Sequence, residues 1–173
     1  MSRISDGYEP DDTASFLRSC AFSHNVDQAL KGKKGQKFLR ELEAALIALP
    51  QKRLIAGVLA RSKVEGAKFC GDVCALGAVA LKRAVDAGTP REIALQELAL
   101  FAGTGDEEED GYSAWQMIEE SSHLLKISMP LGYNVVDFND EGGPGGFETP
   151  EHRYDRVLRW AQTRLQVVGG SPT

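Results

Sequence analysis

Apolar residues recur three and four positions apart through most of this chain, and the breaks in that rhythm fall at glycine and proline. The most regular run lies near the end. Tyr154, Val157, Leu158, Ala161, Leu165 and Val168 make one helical face, opened by Thr149-Pro150, a capping residue followed by a proline suited to the first helical position. Phe38, Leu39, Leu42, Ala45, Leu46 and Leu49 predict a helix over 35–49 that Pro50 stops. Val73, Leu76, Gly77, Ala80, Leu81 and Ala84 predict another over 72–87. Its small residues let a neighbour approach closely, which marks it as central, and Gly88 supplies a left-handed cap.

Thr89-Pro90-Arg91-Glu92 carries the signals of a helix start, and that helix runs to about Ala102. Ser113 and Gln116 offer a capping box for a helix over 113–127, with Trp115, Ile118 and Leu125 facing inward. Pro130 begins a short helix to Phe138, and Asn139 to Phe147 reads as a glycine-rich loop. Nearer the start, Thr13 caps a helix over 13–31 whose inward positions are Phe16, Leu17, Cys20, Ala21 and Leu30. The apolar, partly branched run from Arg53 to Ser62, followed by Gly66 and Gly71, reads as a short β-hairpin across 53–72. A buried helical turn over 54–60 competes with it.

The sum is a mostly α fold, a compact domain of six or seven helices over 13–168 with one small hairpin near 53–72. Residues 1–12 are acidic and hold Gly7 and Pro10, so a disordered arm is expected there, and a frayed tail over 169–173. A composition of 42% apolar and 26% charged residues is enough for a core and excludes a fully disordered chain. The net charge of −5 argues against a uniformly basic nucleic-acid coat. No run is long and apolar enough for a membrane span, the first residues are not a secretory signal, and three cysteines do not suggest a disulfide framework. A cytoplasmic protein is expected, without a membrane partner and without a cofactor.

Four patterns carry candidate chemistry, and none is favoured as a catalytic or metal centre. Cys74 begins a predicted helix, where a thiol pKa falls; as a nucleophile it would need His123 or His152 as base and Asn139 or Asp140 as orienter. Against this, Val73-Cys74-Ala75-Leu76 is apolar all round. Cys70 and Cys74 have a C-x3-C spacing, but a zinc site would need a second pair from Cys20, His24, His123 and His152, and no knuckle spacing supplies one. Asp137, Asn139, Glu141, Gly142 and Glu148 fall at positions of a calcium loop. Pro144 and the late start of the following helix break that pattern. The fourth pattern is charge. Lys31, Lys33, Lys34, Lys37, Arg40, Lys52 and Arg53 face only Glu41 and Glu43 over 31–53. Lys31 to Lys37 also joins glycine and lysine to a helix start that could hold phosphate, but it is not a Walker motif, and no aromatic beyond Phe38 accompanies it for base stacking.

Cys74-Ala75-Leu76-Gly77-Ala78-Val79, Asn139-Asp140-Glu141 and Thr149-Pro150-Glu151 with its helix to Trp160, together with the segments from Gly32 to Leu42 and Leu49 to Ile55, resemble small proteins of unknown function from tailed bacteriophages and prophages. The resemblance spans about 31–165. It implies a phage or mobile-element origin and a helical domain, and it implies no reaction. The expectation is a non-enzymatic accessory protein that binds a host or phage macromolecule, with inhibition of host defence as its finer form; the basic 31–53 edge holds its candidate binding residues and is also the edge that the nucleic-acid or virion-assembly alternative would use. The alternatives are a Cys74 hydrolase and a nucleic-acid or virion-assembly accessory protein.

Overall fold

A computed structural model describes residues 22–65, 68–101, 114–140 and 148–165. The predicted acidic arm, the carboxylates at 106–110, the Ser113 cap, Cys20, Glu141, Gly142 and the tail lie outside the described residues. Helix α1 occupies 22–31 and α2 Lys33–Ala48. The strands β1 (Ala60–Glu65) and β2 (Lys68–Val73) follow, then α3 (Ala75–Asp86), α4 (Arg91–Phe101), α5 (Ala114–Leu125), α6 (Met129–Asp140) and α7 (Pro150–Arg164). The protein is mostly α, with seven helices and one antiparallel hairpin among the described residues. The hairpin pairs Ala60 with Val73 and Glu65 with Lys68, so it begins later than the run at 53 suggested. Residues 52–59 form no helical turn; they run as an irregular bridge from α2 to β1.

Helix α3 is the centre, as its small stripe implied. It packs on α2, α4, α5 and α6 and on β2. Every residue from Ala75 to Leu81 is buried. Gly77 explains how closely the chain approaches there: a Cβ would stand 2.0 Å from the Leu59 carbonyl oxygen, so any side chain must push the bridge away. Gly88 ends α3 at φ +96°, the left-handed conformation the sequence predicted. Gly35 plays the part of Gly77 between α1 and α2. Its absent Cβ would lie 1.9 Å from the Ala29 carbonyl oxygen, which lets the two helices abut across Gly32. Buried Gln36 then bonds the Leu30 carbonyl at 2.8 Å and the Arg164 carbonyl at 3.0 Å, tying α1 to the end of α7.

Three expectations need correction. Helix α3 starts at Ala75 rather than 72, because Asp72 and Val73 belong to β2. Trp115 does not face inward; it is 52% exposed, while Met117, Ile118, Ser121, Ser122 and Leu125 form the buried face of α5. Asn139 and Asp140 are not in a loop but in the last turn of α6, and Asn139 is buried.

Candidate functional site

Cys74 is the N-cap of α3, and its Sγ accepts a hydrogen bond from the Gly77 amide at 3.5 Å. It lies among apolar residues and is 3% exposed. Burial pushes the thiol up to about 12; the Gly77 amide works against that rise, and the Asp140 carboxylate adds to it. The helix-start effect read from the sequence is therefore outweighed by desolvation. His123 and His152 are both exposed, on α5 and in the first turn of α7. Neither bonds Cys74 among the described residues, and Asn139 and Asp140 have other work.

Asn139 joins the end of α6 to the start of α3. Its Oδ1 accepts from the Ala75 amide at 3.1 Å, at the start of α3. Its Nδ2 donates to the Ile55 carbonyl at 2.8 Å and to the Asp140 carboxylate at 2.6 Å. Asp140 accepts in turn from the Gly57 amide at 3.2 Å. Arg153 donates to the Asn139 carbonyl at 2.9 Å and to the Leu54 carbonyl at 3.1 Å. Arg156 bonds the Phe138 carbonyl and grips Glu148 with two nitrogens, at 2.8 and 2.6 Å. The network binds the 52–59 bridge, α3, α6 and α7 together, and each of its carboxylates and amides is consumed in doing so. Sequence reasoning missed Arg153 and Arg156 here; two arginines flanking the buried Tyr154 and Val157, just after Glu148, were the available signal.

The calcium pattern is drawn into the same network. Asp137 and Asn139 are helical, Asn139 turns its oxygen to a backbone amide, and Glu148 faces Arg153 and Arg156. Among the described residues, no three His, Cys, Asp or Glu side chains converge as a metal ion would need. Cys70 lies in β2 opposite Lys63.

The basic run divides. Lys33, Lys34, Lys37 and Arg40 are exposed on α2, and positions 33, 37, 40 and 44 share one side of the helix. Lys37 reaches Glu41 only at 4.0 Å. Beside this face, between α2 and α3, runs a groove of about 320 Å³ lined by Arg40, Glu41, Ala44, Val79, Lys82 and Arg83, with Asp86 at its edge. Lys82 pairs with Asp86 at 2.6 Å, and Arg83 holds Glu41 and the Leu125 carbonyl. Lys31 pairs with Asp27 at 2.9 Å. Lys52 and Arg53 do not belong to the face. A helix of 16 residues spans roughly 24 Å, so they sit at the far end of α2 from Lys33. There Lys52 folds back onto the Ile47 carbonyl, and Arg53 grips Asp72 at 2.6 and 2.9 Å. At the start of α2, where the sequence offered a phosphate-holding run, α1 abuts Gly35, and Lys33 and Lys34 stay exposed.

No protein-family model, curated protein or solved structure matches this chain at a significant level. No helix among the described residues is long and apolar enough to cross a membrane.

The buried thiol sets an expected result. In the folded protein at neutral pH, iodoacetamide should leave the Cys74 peptide unmodified while it labels the same peptide readily in urea, as peptide mapping would read. Rapid labelling of the native protein would mean that Cys74 is a reactive centre.

Proposed function

We propose that this chain is a non-catalytic binding protein that presents the α2 face to an acidic surface of another protein. One observation supports the reading. Lys33, Lys34, Lys37 and Arg40 project from one exposed helix beside a groove, while Cys74 is buried and Asn139, Asp140 and Glu148 are committed to holding the fold. Exposed cations of this kind steer association and set specificity more than they raise affinity. Ala44 and the stems of Arg40 and Lys82 give the partner apolar contact inside the charged rim. In its finer form, the protein is a cytoplasmic accessory of phage or mobile-element origin, and the acidic surface belongs to a host defence component.

The reading predicts the behaviour of Lys33→Glu/Lys34→Glu. Both side chains are exposed, so the variant should keep the wild-type melting temperature. Affinity capture from phage-infected bacterial lysate should retain an acidic protein on the wild type. The variant, or raised salt, should lose it. Duplex DNA titrated against the wild type at physiological salt should bind more weakly than micromolar. Micromolar binding with a log–log salt slope of about −0.9 per contact, weakened by the double reversal, would assign the face to nucleic acid instead. Equal capture by variant and wild type would remove the α2 face from the function.

A further inference from the structure

We infer that the acidic surface received by the α2 face is an amphipathic helix, with carboxylates along one half of a line and apolar side chains along the other. The inference rests on the reading of α2 as a binding face and adds the shape and chemistry of its partner. Lys33, Lys37, Arg40, Ala44 and Ile47 stand four, three, four and three positions apart, and all five are exposed. That spacing draws one straight line along a helix, roughly 21 Å from Lys33 to Ile47. The line is basic over its first three members and apolar over its last two.

The core does not account for this line. On α2, Phe38, Leu39, Leu42 and Leu46 are each at most 2% exposed and form the inner face, whereas Ile47 is 56% exposed and stands outside it. Lys33 and Arg40 make no hydrogen bond or ion pair among the described residues, and Lys37 makes only the loose one to Glu41. Inside the neighbouring groove the charges cancel, because Arg83 holds Glu41 and Lys82 holds Asp86. The surplus of positive charge therefore lies along α2 itself, and that is where the partner's carboxylates belong. The spacing selects a helix to carry them. Members of the line recur every 3.5 residues, roughly 5.3 Å along the axis, and a helix laid alongside repeats its own side chains at that interval. An extended segment repeats one face about every 6.7 Å and falls out of step. Helices α2 and α3 pack side by side, and the trough between two packed helices is a shape that seats a third. Ala44, on the wall of that trough, is small enough to let it come close.

The probe is a synthetic helix of about five turns, stapled on its far side, with glutamate at positions 1, 5 and 8, leucine at 12 and 15, and alanine and glutamine elsewhere. One control has the same composition with its glutamates and leucines spread around the helix. The other is the unstapled sequence interrupted by two prolines. In an amide-resolved NMR titration of the whole protein, the matched helix should shift α2 and α3 amides saturably, with a Kd on the order of 100 μM. Both controls should bind about tenfold more weakly or worse. Ile47→Ser should weaken the matched helix about threefold or more, and because Ile47 is exposed the variant should keep its spectrum elsewhere. Lys33→Glu/Lys34→Glu should lose the matched helix. Equal binding of the matched helix and its controls, all lost in the charge reversal, would overturn the helix and leave an acidic partner standing. Equal binding by Ile47→Ser and wild type would overturn the apolar half of the line. A matched helix that does not bind, or that binds the charge reversal as well as the wild type, would overturn the inference outright, and capture from lysate judges the acidic partner separately.

Discussion

Asn139→Ala is expected to lower the unfolding free energy by about 3 kcal/mol. The substitution removes both ends of a buried amide that is 1% exposed. It leaves the Ala75 amide without its acceptor and the Ile55 carbonyl without its donor, in a place water does not reach. Each orphaned buried group costs roughly 1–3 kcal/mol, and the better helix propensity of alanine returns only about 0.6. Urea unfolding followed by circular dichroism should show the midpoint fall by about 1–2 M with little change in slope. Asn139→Asp separates lost bonds from lost volume. It keeps an acceptor for Ala75, but it turns a second oxygen towards the Ile55 carbonyl and the Asp140 carboxylate. At neutral pH it should be at least as damaging as alanine, and it should recover as acid protonates it. A loss below about 1 kcal/mol in both variants would mean that the bridge at 52–59 is held by packing alone.

The chain announced its helices far better than it announced this network. Helix α7 was legible because its cap, its proline and its apolar stripe are all local, and the Thr149 hydroxyl does accept from the His152 amide. The face of α5 was misjudged because two of its five most central positions are serines. Ser121 and Ser122 are buried, and Ser122 packs where a Cβ on Gly132 would have to stand. With those two counted as polar, the stripe of Ile118 and Leu125, both buried, was extended to Trp115, which is exposed. Asn139 was unreadable for a different reason. Asparagine before a run of glycines is the ordinary composition of a turn. Its partners lie 64 and 84 positions away, so no spacing encodes them. The charge run was half legible. Spacings of three and four collected Lys33, Lys37 and Arg40 onto one face, but Lys52 and Arg53 joined the list through sequence nearness alone. Beyond Pro50 the chain leaves the helix, and Asp72, which neutralises Arg53, comes from the other end of a hairpin.

Glu148→Gln is expected to cost about 2–3 kcal/mol at pH 7, because it leaves two arginines facing a neutral amide. The carboxylate is 7% exposed; Arg156 lies 2.6 Å from it and Arg153 3.6 Å. Arg153 and Arg156 would keep their bonds to the Asn139, Leu54 and Phe138 carbonyls, which holds the loss below that of a fully buried pair. The pH dependence tests the charge itself. The hydrogen bond from Arg156, followed by the positive charges of both arginines, holds Glu148 below its ordinary value of 4.5, against the opposing effect of burial. The unfolded chain therefore binds this proton more readily than the folded protein. The stabilisation is fully present above the unfolded value and is lost as pH falls through the lower folded one. Unfolding free energies of wild type and Glu148→Gln should run parallel from about pH 6 to 8 and converge below about pH 4. Amide exchange across 52–59 should change little in the variant, because Arg153 keeps its hold on the Leu54 carbonyl. Curves that stay parallel and apart down to pH 3 would show that the loss does not come from the charge of Glu148.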